Sequence, residues 1–213
     1  MEIIGLFGGT FNPIHNGHLA LALSVLNTLN CSHIRFLPAA IPPHKAIPAV
    51  TAQHRANMVQ LAIADHPEFI LDTCELDRQG PSYTIETLHL LRNRLPDQAL
   101  CLIIGQDSYL KLPSWHRWLE LLDYCHLLVV HRADTEHKLQ LHAEHENRLV
   151  DIANAAERFA ENTHGFISYL PVTPPDISST RIREALAHAE IASIPGIPEK
   201  VLHYIKANHL YQS

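Results

Sequence analysis

The 213-residue chain is short of several things that would assign it quickly. It has no GxGxxG and no GK[ST] turn, which removes the dinucleotide-binding and P-loop fingerprints. Charged residues make up only 18% of it and the formal net charge is −6. That argues against broad electrostatic binding to nucleic acid or to an anionic membrane, while still allowing a small basic pocket for phosphates. The four cysteines, Cys31, Cys74, Cys101 and Cys125, form no CxxC pair, and three lie in or beside apolar stretches. Buried, reduced thiols are expected, and a chain of this length needs no disulfide to hold a core. No apolar run reaches spanning length, and Met1-Glu2-Ile3-Ile4-Gly5 has neither a basic lead-in nor a cleavage site. A cytoplasmic protein is expected. There is no repeat, low-complexity tract or dividing linker, so residues 1–213 read as one domain.

What is present is an alternation of short apolar runs with longer amphipathic stretches. Ile3 to Phe7, Ile34 to Leu37, Phe69 to Leu71, Ala99 to Ile104 and His126 to Val130 read as strands. Gly17 to Leu29, Thr51 to Ala64 (with Thr51 as N-cap), Tyr83 to Arg94 and Pro113 to Leu122 read as helices between them. This order predicts an α/β fold with an open, mostly parallel sheet and helices on both faces. The polar, His-rich stretch from Thr135 to Asn162 reads as surface helices, with His131, His137, His142 and His145 on the surface. Phe166 to Leu170 is a candidate further strand. Helices from Ser179 to His188 and from beyond Pro198 to near Asn208 complete a C-terminal helical segment.

The most informative segment is Gly8-Gly9-Thr10-Phe11-Asn12-Pro13-Ile14-His15-Asn16-Gly17-His18, between a strand and a helix. In an open parallel sheet, ligands bind at the carboxyl ends of strands. Gly8 and Gly9 let backbone approach a ligand closely. The helix opening near Gly17 offers unpaired N–H groups and a positive dipole end to an anion. His15 and His18, three apart, can both donate to phosphoryl oxygens. Zinc ligation is the alternative, but no third ligand is evident nearby.

A second segment, Ile177-Ser178-Ser179-Thr180-Arg181-Ile182-Arg183, opens another predicted helix. Its hydroxyls can cap that helix or, with the backbone N–H groups, bind phosphate. Arg183 adds a guanidinium fork. Gly105-Gln106-Asp107 ends a buried strand, where a carboxylate can accept from ribose hydroxyls or cap a turn. Ser82 can cap the helix after Pro81. Trp115 can stack on a ring, while Trp118 one turn later reads as core. Lys45, after the stiff Pro42-Pro43 turn, and Arg132, after the strand ending at Val130, are cations for a substrate phosphate or carboxylate, or else solvated loop residues.

GGTFNPIHNGHL resembles the signature of the nucleotidyltransferases that share the HxGH element with class I aminoacyl-tRNA synthetases. Together with GQDS, PSYT and ISSTRIR it resembles the nicotinate-nucleotide adenylyltransferase family, over nearly the whole chain and most weakly across 134–165. The resemblance implies a Rossmann-like fold and adenylyl transfer from ATP to nicotinate mononucleotide, yielding nicotinate adenine dinucleotide and pyrophosphate. It implies ATP contacts from Gly8, Gly9, Thr10, Phe11, Gly17, Gly105, Asp107, Ile177, Ser179 and Thr180. It makes His15, His18 and Arg183 the catalytic residues. Lys45, Ser82, Tyr83, Thr84, Trp115 and Arg132 become the acceptor contacts, with Trp115 stacked on the pyridine ring. Mg²⁺ is implied as cofactor, bound mainly through ATP phosphates, with no protein metal site. The implied partners are small molecules, not nucleic acid or membrane, and self-association into a homo-oligomer stays open. The commoner family form has Asp at Asn12. Rival readings are a superfamily member acting on nicotinamide mononucleotide, phosphopantetheine or a cytidylyl donor, and a non-catalytic nucleotide-binding module.

Overall fold

The computed structural model describes residues 1–42, 48–132, 141–173, 177–188 and 195–212. The expected alternation becomes a six-stranded sheet with every adjacent pair parallel. The strands are β1 (Ile3–Gly9), β2 (His33–Pro38), β3 (Phe69–Leu71), β4 (Ala99–Gly105), β5 (His126–Arg132) and β6 (Ile167–Val172). Their spatial order is β3-β2-β1-β4-β5-β6. The direction of winding therefore reverses beside β1, and the crevice between the carboxyl ends of β1 and β4 is the switch point where such folds bind ligands.

Side-chain alternation along each strand feeds two cores. Ile3 and Phe7 of β1 and Cys101 and Ile103 of β4 pack on one face against α1 (Asn16–Leu29), α2 (Ala52–Ala62), α5 (Ile152–Glu161), α6 (Ser179–His188) and α7 (Glu199–Ala207). Ile4, Leu6, Leu100 and Leu102 pack on the other face against α3 (Thr84–Arg94) and the turns of 106–123. Cys74, Cys101 and Cys125 are buried, Cys31 is half-buried, and none is disulfide-bonded. Thr51 caps α2 as expected, accepting from the His54 N–H at 3.3 Å.

Three expectations are corrected. Pro113 to Leu122 is not one helix. A short α4 (Gln106–Leu110) is followed by 3-10 turns at Leu112–Ser114 and Trp118–Asp123. Between them Trp115 is extended and Arg117 is left-handed (φ 52°), which breaks the helical path. The stretch 141–162 is not merely superficial: Ala155 and Phe159 of α5 are fully buried against the sheet. His145 is buried rather than on the surface, because its Nδ1 meets the Tyr109 hydroxyl at 3.0 Å and Trp118 packs edge-on against it. Trp118 thus sits against the second core, as its position suggested. His137 lies outside the described residues. Among the described residues no helix is long and apolar enough to cross a membrane.

His126 opens β5 at 0% exposure, stacked on Phe159 with ring centroids 4.2 Å apart. Its Nδ1 accepts from the Phe166 N–H at 3.2 Å, so its Nε2–H donates to the Asn162 carbonyl at 2.8 Å. Burial, helped by the nearby His164 and Arg92, pulls its pKa from the usual 6.5 down to about 4. The unfolded chain takes up this proton as pH falls through 6.5, and the native state only near 4. The contribution is therefore complete above pH 6.5 and is lost between 6.5 and 4, on the order of 3 kcal/mol in all. Urea unfolding of wild type and His126→Gln at pH 7.5 and 4.5 checks this. The stability gap between the two proteins should be wide at pH 7.5 and shrink at 4.5, whereas a constant gap would contradict it.

Candidate active site

The carboxyl end of β1 runs into the glycine turn, and the turn into α1. His15 is the N-cap of α1 in extended backbone. Its N–H donates to His18 Nδ1 at 3.2 Å, while the His18 N–H donates to the His15 carbonyl at 2.9 Å. The two rings lie against each other, tilted by 32° with centroids 3.7 Å apart. Because Nδ1 of His18 is an acceptor, the neutral ring carries its proton on Nε2. His15 is 7% exposed, and burial lowers its pKa to about 4, so the ring is neutral at physiological pH. Its Nδ1 is buried with no hydrogen-bond partner among the described residues. An orphaned buried nitrogen in a turn of this kind calls for a partner that the described residues do not supply.

The second motif folds back onto this turn from far along the chain. Ser178 caps α6, its hydroxyl accepting from the Arg181 N–H at 3.3 Å. Ser179 donates its hydroxyl to the Pro13 carbonyl at 3.0 Å. Arg183 donates through Nη1 to the Asn12 carbonyl at 2.8 Å and through Nη2 to Thr180 Oγ1 at 3.2 Å. Asn16, the first residue of α1, donates its N–H to the Gly196 carbonyl at 2.8 Å. Two helix N-termini, an imidazole pair and a guanidinium thus share one turn. Asn12 has a definite place in it: its Oδ1 accepts from the Tyr211 hydroxyl at 2.7 Å. An amide oxygen serves that bond as well as a carboxylate would, but without the charge.

Beside the turn, at the switch point, opens a cavity of about 540 Å³. Gly8, Gly9 and Thr10 line it from β1, Asp107, Ser108 and Lys111 from beyond β4, and Ser82, Tyr83 and Thr84 from the start of α3, with Trp115 half-buried on its wall. The geometry therefore brings Gly8, Gly9, Thr10, Ser82, Tyr83, Thr84, Asp107 and Trp115 to one cavity. His15, His18, Ser179, Thr180 and Arg183 gather around the adjoining turn. The Phe11 ring is buried among Phe7, Phe36 and His18, so only its backbone faces outward chemistry. Ile177 packs on Gly196. Gly17 sits between the two histidines on α1, and Gly105 ends β4 as the N-cap of α4. Ser82 does not cap α3: the N-cap is Tyr83, and the Ser82 hydroxyl accepts from the Ala40 N–H at 3.0 Å instead. The Tyr83 ring lies against His116, centroids 4.6 Å apart, rather than against Trp115. Lys45 and the Arg132 side chain lie outside the described residues.

A family model described as cytidylyltransferase-like matches residues 6–185. "Probable nicotinate-nucleotide adenylyltransferase" of Aeromonas salmonicida is 44% identical, covering 99% of this chain and 97% of the relative. The protein of the same name from Methylococcus capsulatus is 41% identical, covering 98% and 99%. The chain belongs to the nicotinate-nucleotide adenylyltransferases. The fold is shared with Plasmodium falciparum nicotinic acid mononucleotide adenylyltransferase, solved with NaAD, at a TM-score of 0.71 and 17% identity over 99% of this chain and 98% of that one.

Three residues of this adenylyltransferase's site region, Arg55, Glu75 and Tyr211, lie outside the sequence motifs. Arg55 was legible in principle, since it interrupts the buried stripe of α2 formed with Met58, Val59 and Ala62. Glu75 and Tyr211 carry no such signal, because their partners come from other elements.

Proposed function

We propose that the residues gathered here carry the family's reaction, adenylyl transfer from ATP to nicotinate mononucleotide, with the triphosphate on the glycine turn and the acceptor in the cavity. One observation carries the reading: the glycine turn, the N-terminus of α3 and Trp115 converge on one cavity beside the paired histidines. The acceptor's phosphate is already an anion at neutral pH, so no general base is required. The site must align two anions and offset charge as the α-phosphorus is attacked in line and pyrophosphate departs. His15 and His18 are the donors for the α-phosphate and its bridging oxygen, acting as neutral rings in the case of His15. Arg183, with two of its five N–H groups committed to Asn12 and Thr180, keeps others for the departing pyrophosphate. Ser179 has spent its single proton on Pro13, so α6 serves the phosphates through Thr180, Arg183 and backbone N–H groups.

Among the described residues no three His, Cys, Asp or Glu side chains are arranged to hold a metal ion. Asp107 is the exposed carboxylate on the cavity wall. That donor set fits an Mg²⁺ that would be held mainly by ATP oxygens and water, with Asp107 left to accept from the ribose hydroxyls. Such an ion supplies charge neutralisation along the polyphosphate.

The Tyr83 N–H is spent on the Pro81 carbonyl at 2.9 Å, so the first-turn N–H groups of α3 from Thr84 onward, with its positive dipole end, suit a ring carboxylate, and a neutral amide gains less there. Lys45 and Arg132 are further acceptor contacts in this reading. Pyrophosphate release with ATP and Mg²⁺ tests it, with nicotinate and nicotinamide mononucleotides offered in parallel. The expected result is a preference for the nicotinate form on the order of 10²-fold in kcat/KM. Equal rates would move the carboxylate away from α3, and release with neither would remove the acceptor assignment.

A further inference from the structure

Arg55 is an anomaly by ordinary energetics. It is 1% exposed, and no ion pair to a carboxylate is present among the described residues. Burying an unpaired guanidinium is costly, and an apolar side chain would suit the stripe of α2 better. What it has instead is three backbone carbonyls from three separate segments. Nη1 donates to Thr10 in the phosphate turn at 2.7 Å, Nη2 to Ala40 beyond β2 at 3.2 Å, and Nε to Val50 ahead of α2 at 3.4 Å.

Ala40 is held from its other side as well. Its N–H donates to Ser82 Oγ at 3.0 Å, and the Ser82 N–H donates to the Ile41 carbonyl at 3.0 Å. The Ser82 hydroxyl, already accepting from Ala40, shares the cavity wall with Glu75 and, with Thr87, opposes the rise that burial imposes on the Glu75 carboxyl. Glu75 is 8% exposed on the cavity wall and also accepts from Thr87 Oγ1 of α3 at 2.8 Å. A line of hydrogen bonds therefore runs from Thr10 through Arg55 and Ala40 to Ser82, and the Glu75–Thr87 pair stands beside its far end on the same cavity wall. A cation stands at one end and a carboxyl group at the other. One end is the turn proposed for ATP, and the other is the helix proposed for the acceptor.

We propose that Arg55 and Glu75 are positioning residues that set the spacing between the two substrates by gripping the segment Ala39-Ala40-Ile41 between them. This rests on the substrate placement proposed above. Neither residue touches the reacting atoms. Their effect is exerted through the Thr10 carbonyl at one end and through Ser82 and Thr87 at the other. The expected signature is a loss of alignment rather than of affinity, since in-line transfer is sensitive to displacements of about 1 Å that binding of either partner alone tolerates.

The test uses Glu75→Gln, Thr87→Val, Arg55→Lys and the Arg55→Lys/Glu75→Gln double variant. The Gln amide can face only one of the two hydroxyls with an acceptor, and Val keeps the volume of Thr87 while removing its donor. Two quantities are read on the folded fraction: kcat by pyrophosphate release, and the separate affinities for a non-hydrolysable ATP analogue and for nicotinate mononucleotide by calorimetry. Positioning predicts kcat lower by on the order of 10- to 100-fold, single-ligand affinities within about 3-fold, and a double variant no worse than the poorer single one. Unchanged kcat in folded variants, or a fall in kcat matched by lost affinity for one ligand, would overturn it. Where Arg55→Lys does not fold, Thr87→Val and Glu75→Gln decide alone. A separate His18→Ala control distinguishes the two levels: if that variant turns over normally, the substrate placement is what fails.

Discussion

Replacing His18 with alanine is expected to lower turnover by on the order of 10²-fold or more while leaving a folded protein. The ring is half-buried, lies 3.7 Å from His15 and meets Phe11 edge-on at 5.2 Å. Its removal costs the fold one acceptor, for the His15 N–H, worth about 1 kcal/mol. On the proposed mechanism it also costs the reaction a preorganised donor, one whose tautomer the backbone has already selected. Pyrophosphate release beside a thermal melt separates the two effects. A well-folded His18→Ala protein with near-normal turnover would remove the residue from the mechanism. The loss should appear in kcat more than in the affinity for ATP, because the donor is matched to charge that develops during transfer.

Arg183→Ala is expected to have the second large effect, on the order of 10²-fold in kcat/KM for ATP. Two causes add. On the proposed placement, a guanidinium fork for the leaving pyrophosphate is gone. So is the 2.8 Å bond that ties α6 to the Asn12 carbonyl and steadies the glycine turn. Arg183→Lys separates them, since an ammonium keeps the charge but cannot reproduce the planar pair of bonds. If charge alone mattered, the Lys variant would recover most of the activity. If geometry matters, as the Asn12 and Thr180 contacts indicate, it should stay closer to Ala. Equal activity of all three proteins would exclude Arg183 from the phosphate site.

Much of the site is legible in the sequence, because its chemistry is local. Gly8 to His18 sits between a strand and a helix, and that order already aims N–H groups and imidazoles at the strand's carboxyl end. Thr84 at a helix start and Asp107 at a strand end are legible in the same way. The helix expected over Pro113 to Leu122 failed because composition favoured it while Arg117, in the left-handed region, interrupts the path. His145 was assigned to the surface from a His-rich context. Its burial depends on Tyr109, 36 residues earlier in sequence and adjacent only in space.

By itself, the sequence determined the six strands and most of the helices, through apolar periodicity and end signals, but not the broken path over Pro113 to Leu122. It also determined the kind of chemistry at the first turn and the family to which that turn points. Only the tertiary structure decided the strand order, and with it the switch point beside β1 that opens the cavity. Only the tertiary structure brought Ser179 against Pro13 and Arg183 against Asn12, pairs 166 and 171 residues apart. It also decided that Arg55 would spend its charge on three carbonyls and that Glu75 would accept from α3. The physical reason is the same in each case. Propensity and periodicity act over a few turns of chain, whereas a buried polar group takes whichever partner packing leaves within hydrogen-bonding distance.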